Sequence, residues 1–188
     1  MLREPLAREM SAWRYARPGL LEEHIANPKE YVRREAKART KGYADHELDL
    51  TRQKYGLEHN HMSRQLAGIL KGCSQKSVSE INRIANSPSH LLSAAMANLA
   101  KMDHVLVYEN ITQVAAYLDC AFGCSVSLPQ TLYNHRGETT SQAQVPKEVL
   151  EEVQRHNILD QQLYTFAQKL YSQSKFYKRA IVSAPPFG

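Results

Sequence analysis

The sequence predicts a helix-rich α/β domain whose sheet is incomplete. Most of the chain repeats its apolar residues at helical spacing. One short run, HVLVYEN from His104 to Asn110, breaks that rhythm with Val105, Leu106 and Val107 in succession. Such a run, rich in β-branched residues, suits a strand covered on both faces. Met1-Leu2, just ahead of Pro5, reads as the end of a second core strand. Two such pieces do not make a stable sheet, so the expectation is a sheet whose remainder lies before Met1.

Taken in order, Pro5 stands just inside a helix start, and Leu6, Met10 and Trp13 recur at helical spacing to about Arg17. Pro18-Gly19 ends that helix. A second helix is expected from Pro28 to Thr40, broken by Lys41-Gly42. Met62, Leu66, Ile69 and Leu70 mark a short helix that stops at Gly72. Ser87-Pro88 caps an amphipathic helix with Leu91, Leu92, Ala95, Met96 and Leu99 on one side. After the strand comes a helix from Thr112 to Phe122, then a polar loop from Ser127 to Ala143. A last helix runs from Val145 to Ser174 with Val149, Val153, Leu159, Leu163, Phe166 and Leu170 as apolar positions. One domain over residues 1–175 and a loose tail over 176–188 follow.

The bulk composition narrows the classes. A hydrophobic share of 43% is too high for a disordered chain. No stretch approaches the roughly 20 apolar residues of a transmembrane helix, so no membrane span is expected in this chain. The formal charge of +5 favours an anionic partner, and an ordinary basic surface accounts for it equally well. Basic residues concentrate between Arg33 and Lys54. No zinc knuckle, aromatic RNA-binding signature or helix-turn-helix pattern accompanies them, so nucleic acid is not the expected partner. Cys73, Cys120 and Cys124 show no CxxC spacing, and His59 and His61 point to different sides of any regular element; no metal site is expected.

The opening segment, LREPLAREMSAWRYAR, is the most informative. Arg3 would end a strand, and Ser11 lies about two turns along the following helix. A guanidinium supplies a planar fork of donors and a hydroxyl one more, so the two could grip one phosphate. The bland alternative is an exposed Arg3 paired with Glu4 or Glu9. NHRGETTSQ, which contains Arg136 and Ser141, reads by itself as a mobile surface loop, in which Gly137 would allow close backbone approach. KGCSQKS, from Lys71 to Ser77, has a phosphate-loop look but follows a helix, not a strand. Glu109 is expected to hydrogen-bond backbone or a helix end. Asn157 and Asp160, three apart, would anchor the last helix through buried hydrogen bonds.

Four stretches in order resemble one family. The opening LREP…S…Y segment is similar to the 3′-phosphate-binding segment of sulfotransferases that use 3′-phosphoadenosine 5′-phosphosulfate, with Glu4 where Asp is common and Glu9 where a large apolar residue is usual. HNHMSRQLAGIL resembles that family's N-x-x-T-R-x-L-x-G stretch. LLSAAMANLAKMDHVLVYENITQVAAYL resembles its helix–strand–helix, and NILDQQLYTFAQKLY resembles its N-x-x-D-x-x-LY-x-x-A terminal helix. The likeness spans nearly the whole chain and is to the Golgi-type carbohydrate sulfotransferases, the heparan sulfate 2-O- and chondroitin-like enzymes, in their C-terminal portion.

The resemblance implies the helix-rich C-terminal part of a P-loop-like fold. It implies 3′-phosphoadenosine 5′-phosphosulfate as co-substrate, held by Arg3, Ser11, Arg136 and Ser141, with no metal. It further implies a glycan or other hydroxyl acceptor, and a Golgi membrane or lumenal location for full-length members. The 5′-phosphosulfate loop and the catalytic base of the family precede the segment matching Arg3, so a fragment without them is expected. The alternative is a non-catalytic relative that binds anionic glycans or acts as a scaffold.

Overall fold

The computed structural model describes residues 2–16, 19–40, 60–69, 78–85, 87–123 and 144–178. Pro5 opens helix α1 (Pro5–Ala16) at the position where a missing N–H costs nothing. Glu4 caps it, its carboxylate accepting the Ala7 N–H at 2.6 Å. Leu6, Met10 and Trp13 all turn inward, as their spacing predicts. Gly19, at a φ of 79° that side chains disfavour, leads into α2 (Leu20–Ala26). This helix is absent from the sequence expectation because only one turn of apolar residues signals it. Helix α3 spans Pro28–Thr40, as expected.

Helix α4 (His61–Leu66) is shorter than its apolar pattern predicts. Gly68, at φ 70°, stops it. The Gly68 N–H bonds the Gln65 carbonyl and the Ile69 N–H reaches back to Arg64, which closes the last turn and buries Ile69. Helix α5 (Val78–Ala85) has no counterpart in the sequence expectation, whereas α6 (Pro88–Ala100) does. Ser87 sits at the N-cap of α6, yet its hydroxyl faces Ser89 Oγ at 3.3 Å and caps no backbone N–H. Leu91, Ala95 and Leu99 form the buried stripe of α6.

The strand expected from His104 to Asn110 is a correction. Among the described residues there is no strand, only one parallel bridge between Leu2 and Val107. The Leu2 N–H donates to the Leu106 carbonyl at 2.8 Å, and the Tyr108 N–H donates to the Leu2 carbonyl at 2.7 Å. Pairing stops there for two reasons. Pro5 carries the first arm into α1, and Tyr108–Asn110 coils into a 3₁₀ turn. That turn leads directly into α7 (Ile111–Phe122). The helix-rich half of the expectation holds; among the described residues the α/β layer is reduced to this bridge.

The expected single C-terminal helix is two, α8 (Lys147–His156) and α9 (Ile158–Gln173), broken at Asn157. Asn157 leaves the helical region, at φ −112° and ψ 26°. Its side-chain amide donates to the Val153 carbonyl, while Asn60 Oδ1 accepts the first N–H groups of α9, from Leu159 and Asp160. Residues 175–178 add a last turn, and Phe176 and Tyr177 pack onto the core.

Among the described residues two apolar clusters result. The first gathers Leu2, Val107, the stripe of α6 and the inner face of α9, including Leu163 and Tyr171. The second joins Leu6, Met10 and Trp13 of α1 to Leu21 of α2, Tyr31 of α3 and Val149 and Val153 of α8.

Candidate functional site

The bridge brings two arms to one edge. Arg3 and Glu4 leave Leu2 on one side, and Tyr108 and Glu109 leave Val107 on the other. The Arg3 guanidinium lies over the Tyr108 ring, 4.7 Å from its centroid, a distance that suits a cation–π contact. Arg3 is half-buried, and its Nε is shielded, with no hydrogen-bond acceptor among the described residues. It pairs with neither carboxylate that could have neutralised it. Glu4 turns to its own helix N-terminus, and Glu9 pairs with Arg8 at 2.9 Å.

Glu109 does what its sequence position predicts, though on the surface. Its Oε1 accepts the Glu4 N–H at 2.8 Å and its Oε2 accepts the Tyr164 hydroxyl at 2.6 Å. Burial first, then that hydrogen bond and the carboxylate charge, push the Tyr164 hydroxyl well above the ordinary tyrosine range. The phenol therefore stays a donor at neutral pH. Sequence reasoning misses Tyr108 and Tyr164 because each reads as one aromatic among ten tyrosines.

Ser11 is half-buried on α1, on the flank away from Leu6, Met10 and Trp13. It stands six residues past Pro5, about 9 Å along the helix axis, so one anion could meet both only if Arg3 extends along α1. Among the described residues the structure makes no direct bond between Arg3 and Ser11. Arg136, Ser141, Gly137 and the Lys71–Ser77 stretch lie outside the described residues.

Asn157 and Asp160 are structural, as their spacing predicts. Asp160 accepts the Met62 N–H at 2.9 Å, and the Ser63 N–H and hydroxyl at 2.7 Å each, thereby capping α4. Asn60 caps α9 in return, so the two helices satisfy each other's free N–H groups. The start of the basic stretch is partly neutralised: Arg33 pairs with Glu30, and Arg34 contacts Glu23 and the His24 ring. The remainder from 41 to 54 lies outside the described residues.

Beside the N-terminus of α1 lies a pocket of about 470 Å³, lined by Pro5, Leu6, Gln154, Arg155, Ile158 and Gln161 among others. No helix among the described residues is long and apolar enough to cross a membrane. Among those residues no group of three or more His, Cys, Asp or Glu is placed to hold a metal ion. No family model, no curated protein and no solved structure matches this chain.

Proposed function

We propose that the chain is a sulfotransferase-family protein whose Arg3 holds the 3′-phosphate of 3′-phosphoadenosine 5′-phosphosulfate, the donor for sulfation of a carbohydrate hydroxyl. The observation that carries the reading is the state of Arg3. A guanidinium parked on an aromatic face, with a shielded Nε and no carboxylate partner among the described residues, is a cation with donors to spare. Such a group suits a phosphate, which offers several acceptor oxygens to its fork. Ser11 would add a hydroxyl donor from the next turns of α1.

In the proposed reaction the bond from sulfur to the nucleotide's bridging oxygen breaks, and a bond from sulfur to the sugar oxygen forms. The hydroxyl proton passes to a base, and the 3′,5′-bisphosphate leaves. Catalysis of such a transfer consists of alignment and of stabilising charge on the sulfuryl and phosphate oxygens. Arg3 and Ser11 would serve alignment alone, since they would grip the nucleotide far from the sulfur.

Isothermal titration with 3′-phosphoadenosine 5′-phosphate, against adenosine 5′-monophosphate as control, tests the reading. The bisphosphate should bind more tightly. Arg3→Ala should remove about 1.5–3 kcal/mol of that preference, the scale of a hydrogen bond to a charged group. Equal affinities for the two nucleotides, or a preference unchanged by Arg3→Ala, would overturn it. Retention on a heparin column without any nucleotide binding would instead favour an anionic-glycan-binding or scaffold role.

A further inference from the structure

We infer that Glu109 is a positioning residue for Arg3, and that the Tyr164 hydroxyl holds it in that role. In a parallel ladder continuing from Leu2, the Glu4 N–H would bond the Tyr108 carbonyl. It donates instead to Glu109 Oε1, at 2.8 Å. The carboxylate thus stands in for the next rung after the backbone has turned away into its 3₁₀ coil. Three bonds close the two arms into one frame: Leu2 N–H to Leu106, Tyr108 N–H to Leu2, and Glu4 N–H to Glu109. Arg3 lies between the two residues that this frame pins. The platform it rests on, Tyr108, is pinned by the same frame.

One carboxylate oxygen alone would leave Glu109 free to swing, because its side chain is exposed. The second oxygen removes that freedom. Tyr164 is buried on α9 and donates to Oε2 at 2.6 Å. The terminal helix, itself locked to α4 through Asp160 and Asn60, is therefore what sets the arm carrying Arg3. A side chain on α9 and a backbone group before α1 meet through a single carboxylate.

The charge of Glu109 acts against any anion near Arg3, whereas its geometry acts for one. This opposition separates the two effects by substitution. Glu109→Gln keeps an oxygen for the Glu4 N–H, and its amide can donate to the Tyr164 oxygen; only the charge goes. Glu109→Ala removes the rung. Tyr164→Phe leaves the rung and removes its brace.

Two measurements on the full chain test this. The first needs no ligand: NMR of the Arg3 Hδ protons, which the Tyr108 ring current shifts upfield while the guanidinium rests on it. That shift should persist in Glu109→Gln, fall in Tyr164→Phe and vanish in Glu109→Ala. The second rests on the nucleotide reading above: titration with 3′-phosphoadenosine 5′-phosphate and adenosine 5′-monophosphate. Glu109→Ala should weaken the bisphosphate alone by about tenfold, a fraction of a full charged contact. Glu109→Gln should leave it unchanged or tighten it. An Arg3 ring-current shift that survives Glu109→Ala overturns the inference whatever the nucleotide does. If the wild-type chain shows no preference for the bisphosphate while the shifts follow the expected order, the nucleotide reading falls and the positioning role stands. Should Glu109→Ala lose its fold by circular dichroism, Tyr164→Phe, which removes one oxygen, carries the test. A shift unchanged in that variant overturns the brace.

Discussion

The two apolar clusters are stitched with different thread. Around the first, buried polar side chains bond chiefly to backbone: Asp160 and Asn60 cap helices, and Asn157 donates to a carbonyl. Around the second they meet each other. The buried His156 ring places Nε2 2.8 Å from Glu152 Oε1 and Nδ1 3.5 Å from Glu35 Oε2. Glu152 also pairs with Arg155. The Glu35 contact ties α3 to α8, where α3 has few apolar residues to bury, Tyr31 chief among them. The difference has a consequence. Side-chain partners can be exchanged together for apolar groups, but a backbone N–H cannot be exchanged at all.

The largest expected effect is in the second cluster. His156→Leu strips Glu35 and Glu152, both buried, of a shared polar contact and should cost about 3–5 kcal/mol in urea unfolding. Replacing Glu35, Glu152 and His156 together by Leu should recover at least half of that loss. If the triple variant is no more stable than His156→Leu, the proposed contrast between the clusters is wrong.

Asp160→Ala comes next, at about 2–4 kcal/mol, since it strands two backbone N–H groups and the Ser63 hydroxyl. Adding Ser63→Ala should recover only the hydroxyl's share. Full recovery would mean that the backbone caps contribute little.

The smallest effect sharpens the picture of the first cluster. Tyr171 is buried there, and its hydroxyl has no partner among the described residues. Tyr171→Phe should therefore be neutral or stabilising at pH 7, by up to about 1 kcal/mol. Burial pushes the Tyr171 hydroxyl up from 10.0 to about 12, with Tyr177 and Tyr117 adding to it. Between those values the unfolded chain gives up its proton and the folded one keeps it. The contribution to stability is therefore complete below pH 10 and lost as pH rises through about 12. Chemical denaturation across that range should show a shallower alkaline loss in Tyr171→Phe; an identical slope would mean that Tyr171 does not report the burial.

Legibility follows the range of the interaction. Helices α1, α6 and α7 can be read because their apolar stripes repeat within a few residues, as Leu6, Met10 and Trp13 do, and α3 because Pro28 and Lys41-Gly42 bound it. The break at Asn157 cannot, because the groups that stabilise it come from Asn60, nearly a hundred residues away. Val105 and Val107 are buried, as their run predicts, and Leu2 lies beside them, yet no strand forms. Whether a β-competent segment extends into a ladder depends on how long its partner stays extended, and Pro5 ends that partner early.

At the site, the sequence by itself determined which groups are available: an arginine and a serine around Pro5, and a glutamate after an apolar run. Only the tertiary structure decided what they face. Arg3 escaped the alternative pairing with Glu4 or Glu9 because a helix N-terminus claimed one and Arg8 the other. Tyr108 and Tyr164 joined it because the bridge and α9 converge on one edge. Helical periodicity is a local property and survives in one dimension. The orientation of a cation is set by the competition among all its neighbours, which exists only once the chain has folded.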